Sequence, residues 1–270
     1  MSIKNRLKLA VAAAVLAAPM AASAVAVNLS GWTAEGGSSN WSVQSGNDSV
    51  LQTVNGNPTV FFDPTVTSTQ GTALSGKIKV TTTGDDDFIG FALGYQSGTL
   101  TSSGSTSAAD FFLVDWKQGD QSPGVDGLAI SHVLGASGSL NDFWQHVGAV
   151  TEIDRGTNLG STGWADNTEY SFDILFTSSL IQVSVDSVLE LSITPTDASL
   201  TSFGDGSFGF YNYSQGSVLY SAITQVDCSV TPTAPGCQQG GGNGVPEPAT
   251  LALMGLGLAG FGFGRNKKKA

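Results

Sequence analysis

The densest charge in the chain is the acidic run Asp85-Asp86-Asp87, which follows Thr-Thr-Thr-Gly and precedes a predicted strand. Three adjacent carboxylates repel one another unless solvent or a cation neutralises them. Calcium takes about 6–8 oxygen ligands in irregular geometry, so acidic turns at strand ends suit it. In an extended segment Asp85 and Asp87 point to one side and Asp86 to the other. Either one ion uses two of these carboxylates or two ions share the set.

Other carboxylates are candidate ligands by composition only. Asp110, Asp115 and Asp205 belong to this group, and we include Asp115 with the acidic run in the predicted calcium site. The alternative interpretation of the run is a solvated acidic turn without an ion.

The pattern Glu152-Ile153-Asp154 resembles the start of the Glu-x-Asp-x-x-Glu strand motif of laminarinase-like glycosidases. That chemistry needs a second carboxylate about 5 Å from the first, and Thr157 stands where it would be. His132 and His146, the two histidines of the chain, lie in no Gly-x-Ser-x-Gly or His-x-x-x-His context. We therefore expect no enzyme, and a glycoside hydrolase is the least favoured function.

Cys228 and Cys237 are the two cysteines of the chain, and both follow the last predicted strand. In an exported protein two cysteines most simply form one disulfide, which would staple the edge of the domain. A metal pair is less favoured because the histidines are remote in sequence, and the spacing is not that of a redox Cys-x-x-Cys motif.

Basic residues are concentrated at the two ends of the chain. Between Lys8 and Arg265 the basic residues are Lys77, Lys79, Lys117 and Arg155, whereas 21 of the 22 acidic residues precede Glu247. Nucleic acid needs a basic surface to neutralise phosphates, so we expect no nucleic-acid partner.

Residues 1–26 have the features of a secretory signal peptide: a basic start, a short apolar run from Leu9 to Ala18, and small residues before a predicted cleavage after Ala24 or Ala26. The apolar run is too short for a permanent membrane helix. Export is therefore predicted.

The C-terminal residues 245–270 have the features of a second targeting signal. A 16-residue apolar span, Ala249 to Gly264, would reach about 24 Å as a helix, short of a hydrocarbon core of roughly 30 Å. The span follows Pro246, Glu247 and Pro248 and precedes the basic residues Arg265, Lys267, Lys268 and Lys269. In this order of parts the segment resembles the PEP-CTERM sorting signal of Gram-negative bacteria. That resemblance implies processing by an exosortase, transient insertion into the inner membrane and association with extracellular polysaccharide; a permanent anchor is the alternative.

Between the ends, apolar residues alternate with a period of two, and no amphipathic run is long enough for a convincing helix. Tyr170, Phe172, Ile174 and Phe176 form an inward row, for example. Short strands separated by Gly, Ser, Asp and Asn turns predict an all-β sandwich or jelly roll. The predicted strands are 76–82, 87–95, 111–118, 127–133, 170–177, 181–185, 189–193, 207–213 and 217–224.

The small residues Gly90, Ala92 and Gly94 share one face of their strand, which leaves room for a bulky group. An aromatic side chain such as Trp116 is the favoured occupant, and a ligand groove is the alternative.

The segments Asp85-Asp86-Asp87-Phe88-Ile89-Gly90-Phe91 and Phe111-Phe112-Leu113-Val114-Asp115-Trp116-Lys117-Gln118 resemble the thrombospondin C-terminal domain. The resemblance spans roughly residues 45–226. It implies an L-type lectin-like jelly-roll β-sandwich that binds calcium and serves adhesion. Asp115 departs from the family, which more often has an apolar residue there, and Trp116 to Gln118 match but could be framework.

These observations divide the chain into residues 1–26 (signal peptide), 27–226 (β-sandwich), 227–244 (Cys-bracketed loop and Gly-rich linker) and 245–270 (sorting signal). The leading function is a non-catalytic, calcium-binding adhesion module outside a Gram-negative cell, held by extracellular polysaccharide or a surface protein. The alternative is a lectin-like carbohydrate-binding module. Exposed tryptophans would favour that alternative because they could stack on sugar rings.

Overall fold

A computed structural model describes residues 24–234, 236 and 237 of the chain. Most of the predicted signal peptide, the Gly-rich residues 238–244 of the predicted linker and the whole sorting signal lie outside these residues. In the described part no helix is long and apolar enough to cross a membrane. The strands are β1 (Val25–Ala26), β2 (Thr33–Gly36), β3 (Trp41–Val43), β4 (Val50–Gln52), β5 (Thr59–Phe62), β6 (Thr72–Val80), β7 (Phe88–Tyr95), β8 (Ala109–Lys117), β9 (Gly127–Gly135), β10 (Val150–Arg155), β11 (Glu169–Phe176), β12 (Ile181–Val185), β13 (Val188–Ile193), β14 (Ser207–Tyr213) and β15 (Val218–Asp227); one helix, α1 (Asn141–Gln145), and two 3-10 turns, Leu29–Gly31 and Pro195–Ala198, complete the elements.

The strands form two antiparallel sheets that pack face to face. The first sheet has the order β13-β12-β11-β6-β15-β4-β3, with β1 paired to β15, and the second has the order β10-β9-β8-β7-β14-β5-β2. This arrangement confirms the predicted all-β, L-type lectin-like jelly-roll β-sandwich. The crossovers between distant strands are those expected of a jelly roll rather than a simple meander.

The main core lies between the two sheets. The predicted inward row of β11, Tyr170 to Phe176, packs there against the inner face of the second sheet, and the rings of Phe91 and Phe172 are 4.4 Å apart. Alternation along each strand supplies this core because successive side chains point to opposite faces.

A second core covers the outer face of the second sheet, and period-two alternation does not predict it. All eight residues of β7 are buried, so both faces of this strand are covered. Phe143 of α1 packs with outward-facing residues such as Phe88, Phe111 and Tyr211. The segment that contains α1 therefore covers the outer face of the second sheet, and the polar side chains beneath this segment are buried.

The row of small residues on β7 serves close backbone packing at Gly90. A Cβ atom there would lie 2.0 Å from the carbonyl oxygen of Val114 on the neighbouring strand. The Tyr220 hydroxyl reaches over from the first sheet and hydrogen-bonds both the N–H and the carbonyl of Gly90 at 3.2 Å. The favoured occupant, Trp116, instead packs in the main core against Tyr170.

A disulfide between Cys228 and Cys237 follows the last strand. It packs with Ala73, Val226 and Ala234 in a small apolar cluster at the end of β15. A bridge across so short a loop stabilises mainly by restricting the unfolded chain, by roughly 2–3 kcal/mol.

Candidate metal centre

The acidic run lies in the loop between β6 and β7, at one end of the sandwich. Asp85, Asp86 and Asp87 each place a carboxylate oxygen within 4.8 Å of the other two. Asp85 and Asp86 are half-buried, whereas Asp87 is buried. The predicted cluster therefore exists as a spatial group, with an inner and an outer part.

The buried carboxylate of the cluster, Asp87, already pairs with a cation of the protein itself, the Lys117 ammonium. The Lys117 side chain is fully buried, and its Nζ lies 2.7 Å from Asp87 Oδ1. The same ammonium donates to the Asp86 carbonyl at 3.1 Å and to Gln121 Oε1 at 2.9 Å. It also lies 5.3 Å from the Phe88 ring centre and 4.9 Å from that of Trp144, where cation–π attraction adds to its binding.

Strand register explains why Lys117 reaches the cluster. Lys117 pairs with Phe88 across β7 and β8, so it stands beside the residue that follows Asp87. The sequence interpretation treated Lys117 as possible framework. One sequence signal could have pointed to Lys117. It is one of only four basic residues between the two basic ends of the chain, so it is a scarce partner for the many carboxylates there.

The outer carboxylates face a polar depression of 350 Å³, which Thr83, Gly84, Gln118 and Gln121 also line. Asn55 Nδ2 donates to Asp85 Oδ2 at 2.5 Å, and Gln121 Nε2 donates to Asp86 Oδ1 at 2.6 Å. Burial, together with repulsion by Asp87 and Asp86, raises the pKa of Asp85. Among the described residues no ion pair involves Asp85, whose carboxylate is hydrogen-bonded by the neutral Asn55 amide.

Asp115 lies outside this cluster, which corrects its inclusion in the predicted calcium site. Its side chain is buried, and its Oδ2 lies 3.0 Å from His146 Nε2. The other oxygen, Oδ1, has no hydrogen-bond partner among the described residues. The segment after α1 places His146 over this part of the sheet, so Asp115 pairs with a different cation from Asp87.

His146 lies between two carboxylates in a continuous charge network. Its Nδ1 is 3.1 Å from Glu152 Oε2, and Arg155 donates to both oxygens of Glu152 at 2.7 and 2.9 Å. Burial alone would lower the pKa of His146, but Asp115 and Glu152 raise it to about 10. Burial likewise opposes ionisation of Glu152, yet hydrogen bonds and charge from His146 and Arg155 lower its pKa to about 2. Glu152 is therefore ionised at neutral pH, and its carboxylate is engaged by both His146 and Arg155.

The other two carboxylates considered as ligands are occupied elsewhere. Asp110 pairs with His132 at 2.9 Å. Asp205 accepts hydrogen bonds from the Ser68 hydroxyl and from the backbone N–H groups of Thr69, Gln70 and Gly206. The structure does not bring either residue to the acidic run.

The five tryptophans of the chain all fall within the described residues, and none is exposed. Trp116 and Trp164 are buried, and the half-buried Trp32 and Trp41 pack against Phe61. Trp144 is half-buried above Lys117. These rings serve packing, so they give no support to sugar stacking.

Comparison with protein families confirms both sequence resemblances. The family model described as the thrombospondin C-terminal region matches residues 37–229. The PEP-CTERM protein-sorting motif matches residues 244–268, which include Pro246 to Pro248 and all the basic residues predicted for the signal except Lys269. The motif indicates an exported protein destined for the surface.

Among curated proteins, thrombospondin-3b of Danio rerio is 27% identical over 149 residues, which are 50% of this chain and 15% of that protein. Thrombospondin-4 of Bos taurus is 24% identical over 201 residues, or 68% of this chain and 20% of that protein. The chain thus spans a fifth or less of these relatives. Among solved structures, the carbohydrate-binding module CBM66 from Bacillus subtilis superposes with a TM-score of 0.51 at 11% identity, over 73% of this chain and 96% of that one. This similarity concerns the fold alone.

Proposed function

The chain belongs to the thrombospondin C-terminal region family, and on this premise we propose that it is an exported, non-catalytic adhesion module that binds one calcium ion at Asp85 and Asp86. The matched sorting motif supports processing by an exosortase after transient insertion into the inner membrane of a Gram-negative cell. The module then acts at the cell surface or in the extracellular matrix, where its partner is polysaccharide or a surface protein.

The observation that carries the calcium proposal is the division of charge within the cluster. Lys117 neutralises Asp87, while Asp85 and Asp86 face the polar depression without a comparable cation. Although Lys117 Nζ also approaches Asp86, the distance is 3.9 Å. Carboxylate and amide oxygens are the ligands that calcium prefers. This donor set fits one calcium ion and leaves too little negative charge for two.

A calcium ion bound at Asp85 and Asp86 would give the module a direct means of adhesion, because the ion itself could bind the partner. A cation held by two carboxylates keeps coordination positions for external oxygens, because calcium takes about 6–8 ligands. Carboxylate or hydroxyl groups of an extracellular polysaccharide can fill such positions. The strongly acidic body would otherwise repel anionic polysaccharide.

A cosedimentation experiment tests this function. The purified full chain is mixed with exopolysaccharide from its own organism, in millimolar calcium or in excess chelator. We expect retention in calcium and release by the chelator, and we expect Asp85→Asn with Asp86→Asn to abolish retention. Asp87 is left unchanged because its replacement would strand Lys117.

The control is Asp154→Asn with Asp186→Asn, which removes the same charge from two exposed residues outside the cluster. It should be retained like the wild type. Equal retention of both double variants, or retention that ignores calcium, would refute the proposed role of the cluster.

A further inference from the structure

A second depression lies on the outer face of the second sheet, at the far end of β7 from the acidic cluster. It has a volume of 240 Å³, and Phe62 and Tyr95 form its floor. β7 separates Asp87 from Tyr95 by eight residues, or about 26 Å in a strand. This cleft is therefore independent of the candidate metal centre.

One wall of the cleft consists of Gln96 and Ser97. Glu35 fixes this wall, because its carboxylate accepts hydrogen bonds from the Tyr95 hydroxyl at 2.9 Å, the Ser97 hydroxyl at 3.0 Å and the Gly98 N–H at 2.7 Å. All three contacts hold the turn after β7 in one conformation.

The opposite wall consists of Pro64, Val66 and Thr67. Asp63 shapes this loop by accepting hydrogen bonds from the Thr65 N–H at 2.9 Å and the Thr65 hydroxyl at 2.7 Å. The next three residues, Ser68 to Gln70, each donate a hydrogen bond to the Asp205 carboxylate. Both walls are thus held in place before any ligand binds, which reduces the entropy lost on binding.

The lining combines apolar surface with polar groups that are available to a ligand. Pro64 and Val66 supply apolar surface. The Gln96 amide donates weakly, at 3.4 Å, to the Asp205 carbonyl. In the described part of the chain, neither the Gln96 amide oxygen nor the Thr67 hydroxyl has a hydrogen bond to another residue. A sugar ring has matching features, since it presents C–H groups on its faces and hydroxyl groups around its edge.

Size and charge narrow the class of ligand. Drug-sized ligands occupy pockets of about 300–1,000 Å³, so 240 Å³ suits a single sugar ring. Among the described residues no basic side chain lines the cleft. The carboxylates of Glu35, Asp63 and Asp205 accept the hydrogen bonds that hold its walls. An acidic sugar would be repelled here.

We infer that this cleft binds one neutral hexose unit of a polysaccharide and does so without calcium. The inference rests on the proposed function in taking a polysaccharide as the partner, and it adds a second contact with its own chemistry. The polysaccharide chain extends out of the cleft, and only one ring is enclosed.

Calorimetric titration of the purified full chain tests the inference. The probes are cellohexaose, laminarihexaose and mannohexaose, with hexagalacturonate as the acidic probe, all in excess chelator. We expect at least one neutral hexasaccharide to bind and hexagalacturonate not to bind. Thr67→Trp, which fills the cleft, and Gln96→Ala should each weaken binding at least tenfold.

The matched controls are Thr151→Trp and Gln44→Ala, which make the same changes at residues that line neither depression. Both should bind the neutral probe like the wild type, and thermal melting verifies the fold of every variant. The inference fails if no neutral hexasaccharide binds, if only hexagalacturonate binds, or if Thr67→Trp binds unchanged. Calcium-dependent retention of Thr67→Trp on exopolysaccharide would then show that the proposed function survives without this cleft.

Discussion

Replacement of Lys117 by Met is expected to lower the free energy of unfolding by about 3–5 kcal/mol, because it leaves the buried Asp87 carboxylate without its cation. The loss should appear as an earlier midpoint in urea unfolding monitored by tryptophan fluorescence. Methionine keeps most of the side-chain volume, so packing against Phe88 and Trp144 changes little.

Two further variants separate charge from packing. Lys77→Met removes an exposed ion pair with Glu169, in which the two side chains are 48% and 44% exposed. This change should lower the free energy of unfolding by no more than about 1 kcal/mol. Asp87→Asn added to Lys117→Met should restore part of the lost stability, because it removes the stranded charge. A Lys117→Met protein as stable as Lys77→Met would contradict the internal ion pair.

Lys117→Met should also respond more strongly to calcium than the wild type does. Without the ammonium, three carboxylates repel one another, and a bound cation then relieves more repulsion. Thermal melting in calcium and in chelator measures this difference, and an equal calcium response in the two proteins would argue against a cluster shared between Lys117 and the ion.

Replacement of His146 by Gln is the second change with a large expected effect, again about 3–5 kcal/mol, because Asp115 is buried and His146 is its cation. Asp115 has no second partner in the described residues that could compensate. His132→Gln is the matched control, since its partner Asp110 is 62% exposed in its side chain and should be solvated after the change. Equal losses in the two variants would contradict this network.

The pH dependence gives an independent signature of the same network. The pKa of His146 rises from 6.5 to about 10 on folding, so its stabilisation is complete below pH 6.5 and disappears as the pH rises through 10. The pKa of Glu152 falls from 4.5 to about 2, so its stabilisation is complete above pH 4.5 and disappears as the pH falls through 2. The alkaline loss should be absent from His146→Gln, and its persistence there would assign it to another group.

The long strands were predictable because their alternation is regular. β8, β11 and β14 follow the predicted segments within about two residues at each end. The short strands β2, β3 and β4 have only three or four residues each, too few for a period of two to stand out. β10 was missed because Glu152 and Arg155 interrupt its apolar pattern and its register shifts at a bulge.

The acidic run was predictable as a cluster because three consecutive carboxylates must share one region of space. Its division into an inner, neutralised part and an outer part was not, because it depends on the register that places Lys117 beside Phe88. The pairing of Asp115 with His146 was equally hidden. It requires the segment around α1 to fold over the outer face of the sheet, and no local pattern specifies that contact.

Calcium titration by isothermal calorimetry tests the central claim most directly. For the purified full chain, the charge division predicts one bound ion per chain, abolished by Asp85→Asn with Asp86→Asn and retained in Asp154→Asn with Asp186→Asn. A stoichiometry of two, no binding at all, or unchanged binding in the first double variant would contradict a single calcium site on the outer carboxylates.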